Sequence, residues 1–439
     1  MTASFPLSKT PKTSSSSSLG DGAPAPPSAM AGAVAAEPST GHIRSNKLKG
    51  DQFAILCCPS PRYTRQCSLV VVFACAPRPY DTANPKEPKP VMKFALFLPA
   101  SWADKDTVHQ SRIYGEVLEQ VQYAEELGFD SIWIAEHHSS RYGIFPSLMP
   151  ILAHIAAQTK TIRLGAGVSV LPFHHPIRLA EEAAMVDLLS NGRLNLGVGR
   201  GSADYEYGNF KIDFDSRDDR FREVLDIILG LWTTEDFSYQ GKYYQVDGIT
   251  IAPRPLQRPH PPVHVAVSRT AASIDIAVAR DMPVLTTYFT PVEDTLALMS
   301  LYSERCAAAG KVSQMAEMPF FRFIYLSEDE KEANEYPEKA ITWVRDLSAY
   351  RRTITQGDEI NMDLDDWKTG RTDEPRSYES ELANNYFCTP DQCVDRISEL
   401  QSQHGISYFG ANFAFGSMEH YRVMDSMKLF AEEVMPKFT

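Results

Sequence analysis

Residues 161–201, TIRLGAGVSVLPFHHPIRLAEEAAMVDLLSNGRLNLGVGRG, decide the fold class of this chain. A short apolar run at 162–168 is followed by a helical pattern at 177–189 and by a second apolar run at 194–199. Pro176 suits the first turn of that helix, because its ring already fixes a helical φ. A strand, a helix and a second strand in this order are typical of a parallel sheet that is buried on both faces.

The same alternation continues from Met92 to the end of the chain. The remaining predicted strands cover residues 93–98, 131–135, 263–267, 284–287, 320–326 and 406–413. The remaining predicted helices cover residues 114–127, 148–157, 221–232, 271–279, 292–309, 391–401 and 420–434. Eight strands that alternate with eight helices predict an α/β fold of the (β/α)8 TIM-barrel type with insertions. A doubly wound open sheet is the competing fold, but residues 98–102 do not form the glycine-rich loop expected after its first strand.

Two insertions interrupt the predicted barrel. Residues 237–244 have the pattern of a β-hairpin that turns at Gln240-Gly241, between the fourth helix and the fifth strand. Residues 328–386 form a long polar insertion after the seventh strand. Because loops at the carboxyl ends of barrel strands carry substrate contacts, we expect this second insertion to form part of a lid.

Charge divides the chain into a basic extension and an acidic body. The whole chain of 439 residues has a formal net charge of −13, whereas residues 1–91 hold 10 Lys or Arg against 5 Asp or Glu. The same segment holds 13 of the 30 prolines and a run of serines at 14–18. That composition predicts a disordered or processed extension, residues 1–91, joined to one barrel domain, residues 92–439. The acidic body disfavours nucleic-acid binding, because it repels phosphate backbones.

The extension allows three interpretations. Its apolar stretches, residues 53–58 and 68–76, are both shorter than the ~20 residues that span a bilayer, so we expect no membrane anchor. The serine-rich leader is compatible with an organelle transit peptide, and the Ala-Cys-Ala end of the second stretch with a signal sequence. The whole extension is also compatible with a gene model that begins upstream of a true start at Met92. Only three of the seven cysteines lie in the body, which fits a reducing compartment and a cytoplasmic location.

Polar and titratable groups follow four of the predicted strands. They are Glu136-His137-His138 after the second strand, His174-His175 after the third, Gly199-Arg200-Gly201 after the fourth and residues 268–273 after the fifth. In a barrel these strand ends meet at one face, where catalytic groups gather. Arg200 offers a fixed charge and a donor fork suited to phosphate, and residues 268–273 open a helix whose N-terminus favours anions. Together they predict a phosphate-bearing cofactor across the barrel mouth.

A metal site is the alternative use of the two His-His pairs. Neighbouring residues of a strand point to opposite faces, so adjacent histidines chelate poorly, and no acidic residue completes a recognisable ligand set. We therefore expect no metal. Glu136 has a simpler role available as the partner of a nearby basic group. His174 and His175 have one as polar residues before the helix that begins at Pro176.

These segments resemble the bacterial luciferase-like flavin monooxygenases from about Met92 to the C-terminus. The resemblance rests on the ordered segments 135–138, 162–172, 175–176, 180–193, 197–201 and 432–436. It implies a barrel that binds reduced FMN (FMNH2) and reacts with O2. A flavin C4a-hydroperoxide then oxygenates a small organic substrate, which is an aldehyde in the luciferases. The resemblance also implies a homodimer and a separate NAD(P)H:flavin reductase, because the chain lacks the nicotinamide-binding G-x-G-x-x-G motif.

The resemblance assigns roles to single residues. His137 matches the family's catalytic histidine, which suits acid–base chemistry near neutral pH. Arg200 matches the arginine that binds the flavin phosphate, and Gly167-Val168 matches a non-proline cis peptide under the isoalloxazine ring. The other cofactor-binding positions that it implies are Glu136, Gly199, Ser268, Thr270 and Ala271.

The chain departs from the family at two positions, and three functions stay open. Gly199 stands where luciferases have a cysteine, so we do not infer light emission. The second phosphate arginine can be Arg217, Arg220 or Arg222. Besides the monooxygenase, the chain can be a deazaflavin-dependent oxidoreductase on the same barrel. It can also be a non-catalytic flavin-binding dimer subunit, against which the presence of His137 argues.

Overall fold

The predicted strands form one curled parallel sheet. The computed structural model describes residues 91–268, 271–358, 360–361, 367 and 376–438, so the extension lies outside the described residues except for its last one. The strands in the described part are β1 (Lys93–Leu98), β2 (Ser131–Ile134), β3 (Arg163–Val170), β4 (Leu194–Gly199), β5 (Phe237–Gln240), β6 (Gln245–Ile249), β7 (Val263–Val267), β8 (Val284–Thr286), β9 (Phe320–Leu326), β10 (Tyr386–Cys388) and β11 (Tyr408–Asn412).

Parallel pairing organises the sheet into the curled wall of a barrel. Its order is β10-β9-β11-β1-β2-β3-β4-β7-β8, and each of these neighbouring strands pairs in parallel. All eight predicted strands are present, which confirms the predicted fold class. β10 is a ninth strand that was not predicted, because three residues at the end of the polar insertion carry too little periodicity to recognise.

Helices connect the strands of this sheet. Within the described residues they are α1 (Gln110–Glu126), α2 (Leu148–Gln158), α3 (Pro176–Leu189), α4 (Asp204–Phe210), α5 (Arg217–Thr233), α6 (Ala271–Ala279), α7 (Val292–Ala308), α8 (Glu330–Glu335), α9 (Glu338–Arg351), α10 (Tyr378–Asn384), α11 (Pro390–His404) and α12 (His420–Leu429). α1 and α5 begin about one turn earlier than predicted. The helix predicted at 420–434 changes at Leu429 into a π-helical turn, Phe430–Val434.

The described part of the polar insertion contains the helices α8, α9 and α10, for which no bounds were predicted. α9 buries Ile341, Val344 and Leu347, three apolar residues on one helical face. They join the aromatic cluster of the barrel interior, which includes Phe97 and Phe323. The apolar face therefore holds α9 against the barrel.

The predicted hairpin is present as β5 and β6, which pair antiparallel. Its tight turn covers residues 241–244 and is closed by a hydrogen bond from the Gly241 N–H to the Tyr244 carbonyl at 2.9 Å. The second strand of the hairpin therefore begins at Gln245, just after the predicted segment 237–244.

Among the described residues, no helix combines the length and the apolar character needed to cross a membrane.

Candidate active site

The residues predicted to form the site gather at the carboxyl ends of four neighbouring strands. β2, β3, β4 and β7 lie side by side in parallel, so their last residues meet at one edge of the sheet. The residues at this edge are Glu136 and His137 after β2, Gly167 and Val168 in β3, Gly199 and Arg200 at the end of β4, Ser268 after β7 and Ala271 at the start of α6. Thr270 lies outside the described residues.

Gly199 and Val168 make a close contact in the middle of this edge. The Gly167–Val168 peptide bond is cis, and both residues are partly exposed although their neighbours in β3 are buried. A Cβ atom on Gly199 would lie 2.5 Å from Val168 Cγ2. A cysteine at this position would therefore have to displace Val168, and glycine keeps the two strand ends in contact.

Arg200 joins the end of β4 to the first turn of α6. Its Nη1 donates to Asp218 Oδ1 at 2.6 Å, and its Nη2 donates to Ser273 Oγ at 2.6 Å. The Tyr207 hydroxyl donates to the Arg200 carbonyl. A guanidinium held at a helix N-terminus attracts anions, because the N–H groups of a first helical turn carry partial charge of the same sign.

Two of the three candidates for a second phosphate arginine have structural contacts of their own. Arg217 Nη1 donates to the Phe214 carbonyl at 2.9 Å. Arg220 Nε donates to Ser216 Oγ at 3.0 Å, and its guanidinium lies 4.2 Å from the centre of the Tyr243 ring. Arg222 is exposed on α5. The choice among the three stays open.

Glu136 is the centre of a buried cluster and is only 2% exposed. Its Oε1 lies 3.1 Å from His138 Nε2, and its Oε2 lies 2.9 Å from His174 Nε2. The Val170 N–H donates to Oε2 at 3.3 Å, so the carboxylate ties the end of β2 to the end of β3. Contact between Glu136 and a cofactor stays a prediction.

His175 is the N-cap residue of α3 and makes no side-chain capping hydrogen bond.

Hydrogen bonds outweigh burial in this cluster. Burial alone raises the pKa of Glu136, but the bonds to His138 and His174 bring that pKa below its ordinary value. Burial lowers the pKa of His174, whereas its bond to Glu136 raises it by more, so the net pKa is raised. Glu136 is therefore ionised at neutral pH, and His174 protonates more readily than an ordinary histidine.

His137 has a separate set of contacts. Its Nδ1 lies 3.2 Å from Arg351 Nη2 and 3.8 Å from Glu206 Oε1. Its ring meets Tyr142 edge to face, with 4.8 Å between the ring centres. The histidine that the resemblance marks as catalytic is thus oriented by an arginine, a carboxylate and an aromatic ring.

Glu206 supplies the negative charge in this set. It lies on α4, is 2% exposed and accepts hydrogen bonds from Arg351 Nη2 at 2.9 Å and from the His138 N–H at 3.2 Å. Burial raises the pKa of Glu206, but the nearby His137 ring and the Arg351 guanidinium lower it by more, so that the net pKa is about 2. Glu206 is therefore an ionised carboxylate that holds Arg351 beside His137.

Arg351, Glu206 and Tyr142 were not predicted as site residues. The spacing of Ile341, Val344 and Leu347 is typical of one helical face and indicates α9, but it lies inside a mostly polar segment that hides it. α4 spans only seven residues, too few for a clear period. Neither pattern indicates which residue a helix brings to His137.

A cleft of about 730 Å³ opens beside Ser268, between the loop after β8, the start of α7, and α9. Arg345 lies in its wall and donates to Glu381 Oε2 at 2.7 Å. Phe289 lies in the same wall and adds an apolar surface. The volume suits a small organic molecule.

The residues present fit a ligand that combines a phosphate with a flat ring. Arg200 and the start of α6 provide the anion site, and the partly exposed Gly167–Val168 peptide provides a surface without large side chains. Among the residues that the structure describes, no group of three or more His, Cys, Asp or Glu side chains is placed to hold a metal ion.

Known proteins share both the sequence pattern and the fold. A family model described as luciferase-like monooxygenase matches residues 92–406. The oxygenase component of a flavin-dependent trigonelline monooxygenase from Acinetobacter baylyi is 31% identical over an alignment of 364 residues, and the match covers 79% of this chain and 96% of that protein.

Two solved structures share the fold at lower identity. The oxygenating constituent of 3,6-diketocamphane monooxygenase from Pseudomonas putida, a type II Baeyer–Villiger monooxygenase in complex with FMN, matches with a TM-score of 0.67 and 21% identity over 80% of this chain and 99% of that chain. An F420-dependent secondary alcohol dehydrogenase matches with a TM-score of 0.62 and 17% identity over 80% of this chain and 99% of that chain. The family match covers most of the sequence, so the chain belongs to the luciferase-like monooxygenases, a family that includes oxygenase components of flavin-dependent monooxygenases.

Proposed function

We propose that this protein is the oxygenase of a two-component system. It binds reduced FMN supplied by a separate NAD(P)H:flavin reductase and uses O2 to oxygenate a small organic substrate. One observation carries the proposal: Arg200 is held against the first turn of α6, beside the partly exposed Gly167–Val168 peptide. A cation for a phosphate and an open peptide for a flat ring together describe FMN. In the balanced reaction, reduced FMN, O2 and substrate give oxidised FMN, water and a product that contains one oxygen atom more.

In this proposal the residues of the site bind the flavin, orient the strand ends around it and shield it from water. Arg200 and the N–H groups at the start of α6 would hold the phosphate, with Ser268 and Ala271 at the same strand end; the resemblance adds Thr270, which lies outside the described residues. The reduced flavin supplies, when bound, the two electrons that the activation of O2 requires. Glu136 fixes the ends of β2 and β3 through His138 and His174. α9 brings Arg351 to His137, and in this proposal it would shield the bound flavin from water, which favours oxygenation over the release of peroxide.

The cleft beside Ser268 is the proposed space for the substrate. Its wall combines Phe289 with the ion pair of Arg345 and Glu381, so it offers both apolar and charged contacts. We propose a small organic molecule with an apolar body and a polar group. The test is turnover with reduced FMN, oxygen-18-labelled O2 and a panel of aldehydes, bicyclic ketones and pyridinium carboxylates such as trigonelline.

The same turnover experiment separates the competing functions. An oxygenase places one labelled oxygen atom in a product, as read by mass. A deazaflavin-dependent oxidoreductase gives no labelled product and binds a deazaflavin in preference to FMN. A non-catalytic subunit binds reduced FMN and releases only peroxide with every substrate of the panel.

We also propose that two copies of the chain form a homodimer. Support comes from α3, on which the large apolar side chains of Met185, Leu188 and Leu189 are exposed. Apolar side chains clustered on one exposed helix are typical of an interface. Light scattering of the purified protein tests this: the expected mass is that of a dimer, and Leu189→Glu is expected to shift it towards the monomer.

A further inference from the structure

Arg351 reaches His137 across 214 residues of sequence. It is the last residue of α9, the helix whose apolar face packs against the aromatic cluster of the barrel interior. The inference rests on the proposed function, because it treats His137 as a residue of the active site. It goes further by assigning a protonation state to His137 and a role to an arginine of the insertion.

The Arg351 guanidinium contacts both Glu206 and His137. Its Nη2 carries two N–H groups and lies 2.9 Å from Glu206 Oε1 and 3.2 Å from His137 Nδ1. Its Nε donates to the Tyr205 hydroxyl at 3.3 Å, and its guanidinium lies 5.0 Å from the centre of the Tyr142 ring. The side chains of Arg351 and Glu206 are 11% and 3% exposed, so solvent screens this ion pair little.

This contact selects one tautomer of His137. A guanidinium can only donate, so Nδ1 has to accept and the proton of the neutral ring has to sit on Nε2. The other tautomer would donate from Nδ1 to Glu206 Oε1, but these atoms are 3.8 Å apart, beyond hydrogen-bond distance. The Tyr142 ring packs edge to face against the His137 ring, with 4.8 Å between the ring centres, and so opposes a turn of the His137 ring.

We propose that Arg351 is a positioning residue that holds His137 as the neutral Nε2–H tautomer. His137 then acts as a hydrogen-bond donor through Nε2 towards an oxygen atom of the reacting groups, and not as a base. A neutral imidazole used as a donor is an established catalytic device, and it requires no proton transfer. Among the described residues, the charged groups in contact with His137 are Arg351 from α9 and Glu206 from α4, which have opposite signs, and the Tyr142 ring comes from the loop after β2.

The first test measures the tautomer and does not depend on turnover. The full chain is labelled with nitrogen-15 in its histidine rings, and the signals of His137 are identified by their loss in His137→Gln. At about pH 8, well above the ordinary histidine pKa, the wild type is expected to show an unprotonated Nδ1 and a protonated Nε2. In Arg351→Ala the two signals are expected to move towards each other as the tautomers mix. A tautomer that is unchanged in Arg351→Ala, or an Nδ1–H form in the wild type, overturns the proposal.

The second test measures product per reduced FMN oxidised. Arg351→Ala is expected to lower this ratio roughly 10- to 100-fold, less than loss of the His137 donor itself, and added guanidinium is expected to restore part of it. His137→Gln, which keeps an N–H donor, is expected to retain more product than His137→Ala. Equal ratios for these two His137 variants overturn the donor role.

A matched control separates a local from a general effect. Arg178→Ala removes an exposed arginine of α3 that pairs with Glu182 on the same helix, outside the proposed substrate cleft, and it is expected to leave both readouts unchanged. The same loss in Arg178→Ala overturns the specific role of Arg351. Should Arg351→Ala fail to fold because Glu206 is left buried and unpaired, the double variant with Glu206→Gln carries the same two measurements. If the wild type gives no product at all, the proposed function fails, whereas the tautomer measurement still decides the role of Arg351.

Discussion

Replacing Arg200 with alanine tests the assignment of the phosphate site. The guanidinium is fixed by Asp218 and Ser273, so it is oriented before the ligand arrives and little of its binding energy is spent on ordering it. A hydrogen bond to a charged group contributes ~1.5–3 kcal/mol, which corresponds to roughly a 10- to 150-fold change in affinity. In Arg200→Ala, Asp218 would remain next to the vacated position and would repel a phosphate bound there, so we expect the upper part of this range.

The assay compares FMN with riboflavin, which has the same ring but no phosphate. Affinities are measured by fluorescence quenching, and Arg200→Ala is expected to weaken FMN by the stated factor and riboflavin by less than about threefold, within ~0.6 kcal/mol. Arg178→Ala is the control, because Arg178 lies on the exposed face of α3 and pairs with Glu182 on the same helix. Equal losses for FMN and riboflavin in Arg200→Ala would refute the phosphate contact.

Three further predictions concern the domain boundary, the catalytic histidine and acid stability. A chain that begins at Met92 is expected to be soluble and to bind FMN as well as the full chain does, since the family match begins there; insolubility would show that the extension takes part in folding. His137→Ala is expected to keep reduced FMN bound but to lower product per flavin oxidised by ~10²–10³-fold, the usual cost of removing a hydrogen-bond donor from the reacting groups, with peroxide as the remainder, and unchanged coupling speaks against a catalytic role. Glu206 has a folded pKa of about 2, below its unfolded value of about 4.3, so its stabilisation is present above the unfolded value and is lost as the pH falls towards 2. Urea unfolding between about pH 5 and about pH 2 is therefore expected to lose roughly 3 kcal/mol less in Glu206→Gln than in the wild type, and identical pH profiles contradict the shift.

The strands and the strand-end motifs were predictable because their signals are local. A buried parallel strand is a continuous apolar run, so β1, β4 and β7 have the predicted bounds to the residue. The position of Arg200 beside α6 followed from the rule that parallel strands end at one face. In each case the information lies within a few neighbouring residues.

The contacts around His137 were not predictable for the opposite reason. Glu206 and Arg351 lie 145 residues apart, and only the packing of α4 and α9 brings them together. A carboxylate on a short helix and an arginine at the end of an insertion resemble ordinary surface residues in the sequence. Burial decides their role, and burial depends on the tertiary structure.

The role of Glu136 shows an intermediate case. The sequence left two uses open, a partner for a basic group and a contact with the cofactor. The structure gives it two histidine partners and buries it, and the partner role is therefore confirmed. Which basic groups it meets depends on the loop after β3, whose path is not encoded in any local pattern.

The most direct test of the central claim, that this barrel uses reduced FMN, does not require knowledge of the substrate. Reduced FMN and a reduced deazaflavin are titrated into the same preparation of the wild-type protein without oxygen, and the two dissociation constants are compared. We expect reduced FMN to bind at least about tenfold more tightly, a difference of ~1.4 kcal/mol. Equal or tighter binding of the deazaflavin contradicts the assignment, because hydride transfer and not oxygenation is then the chemistry of this site.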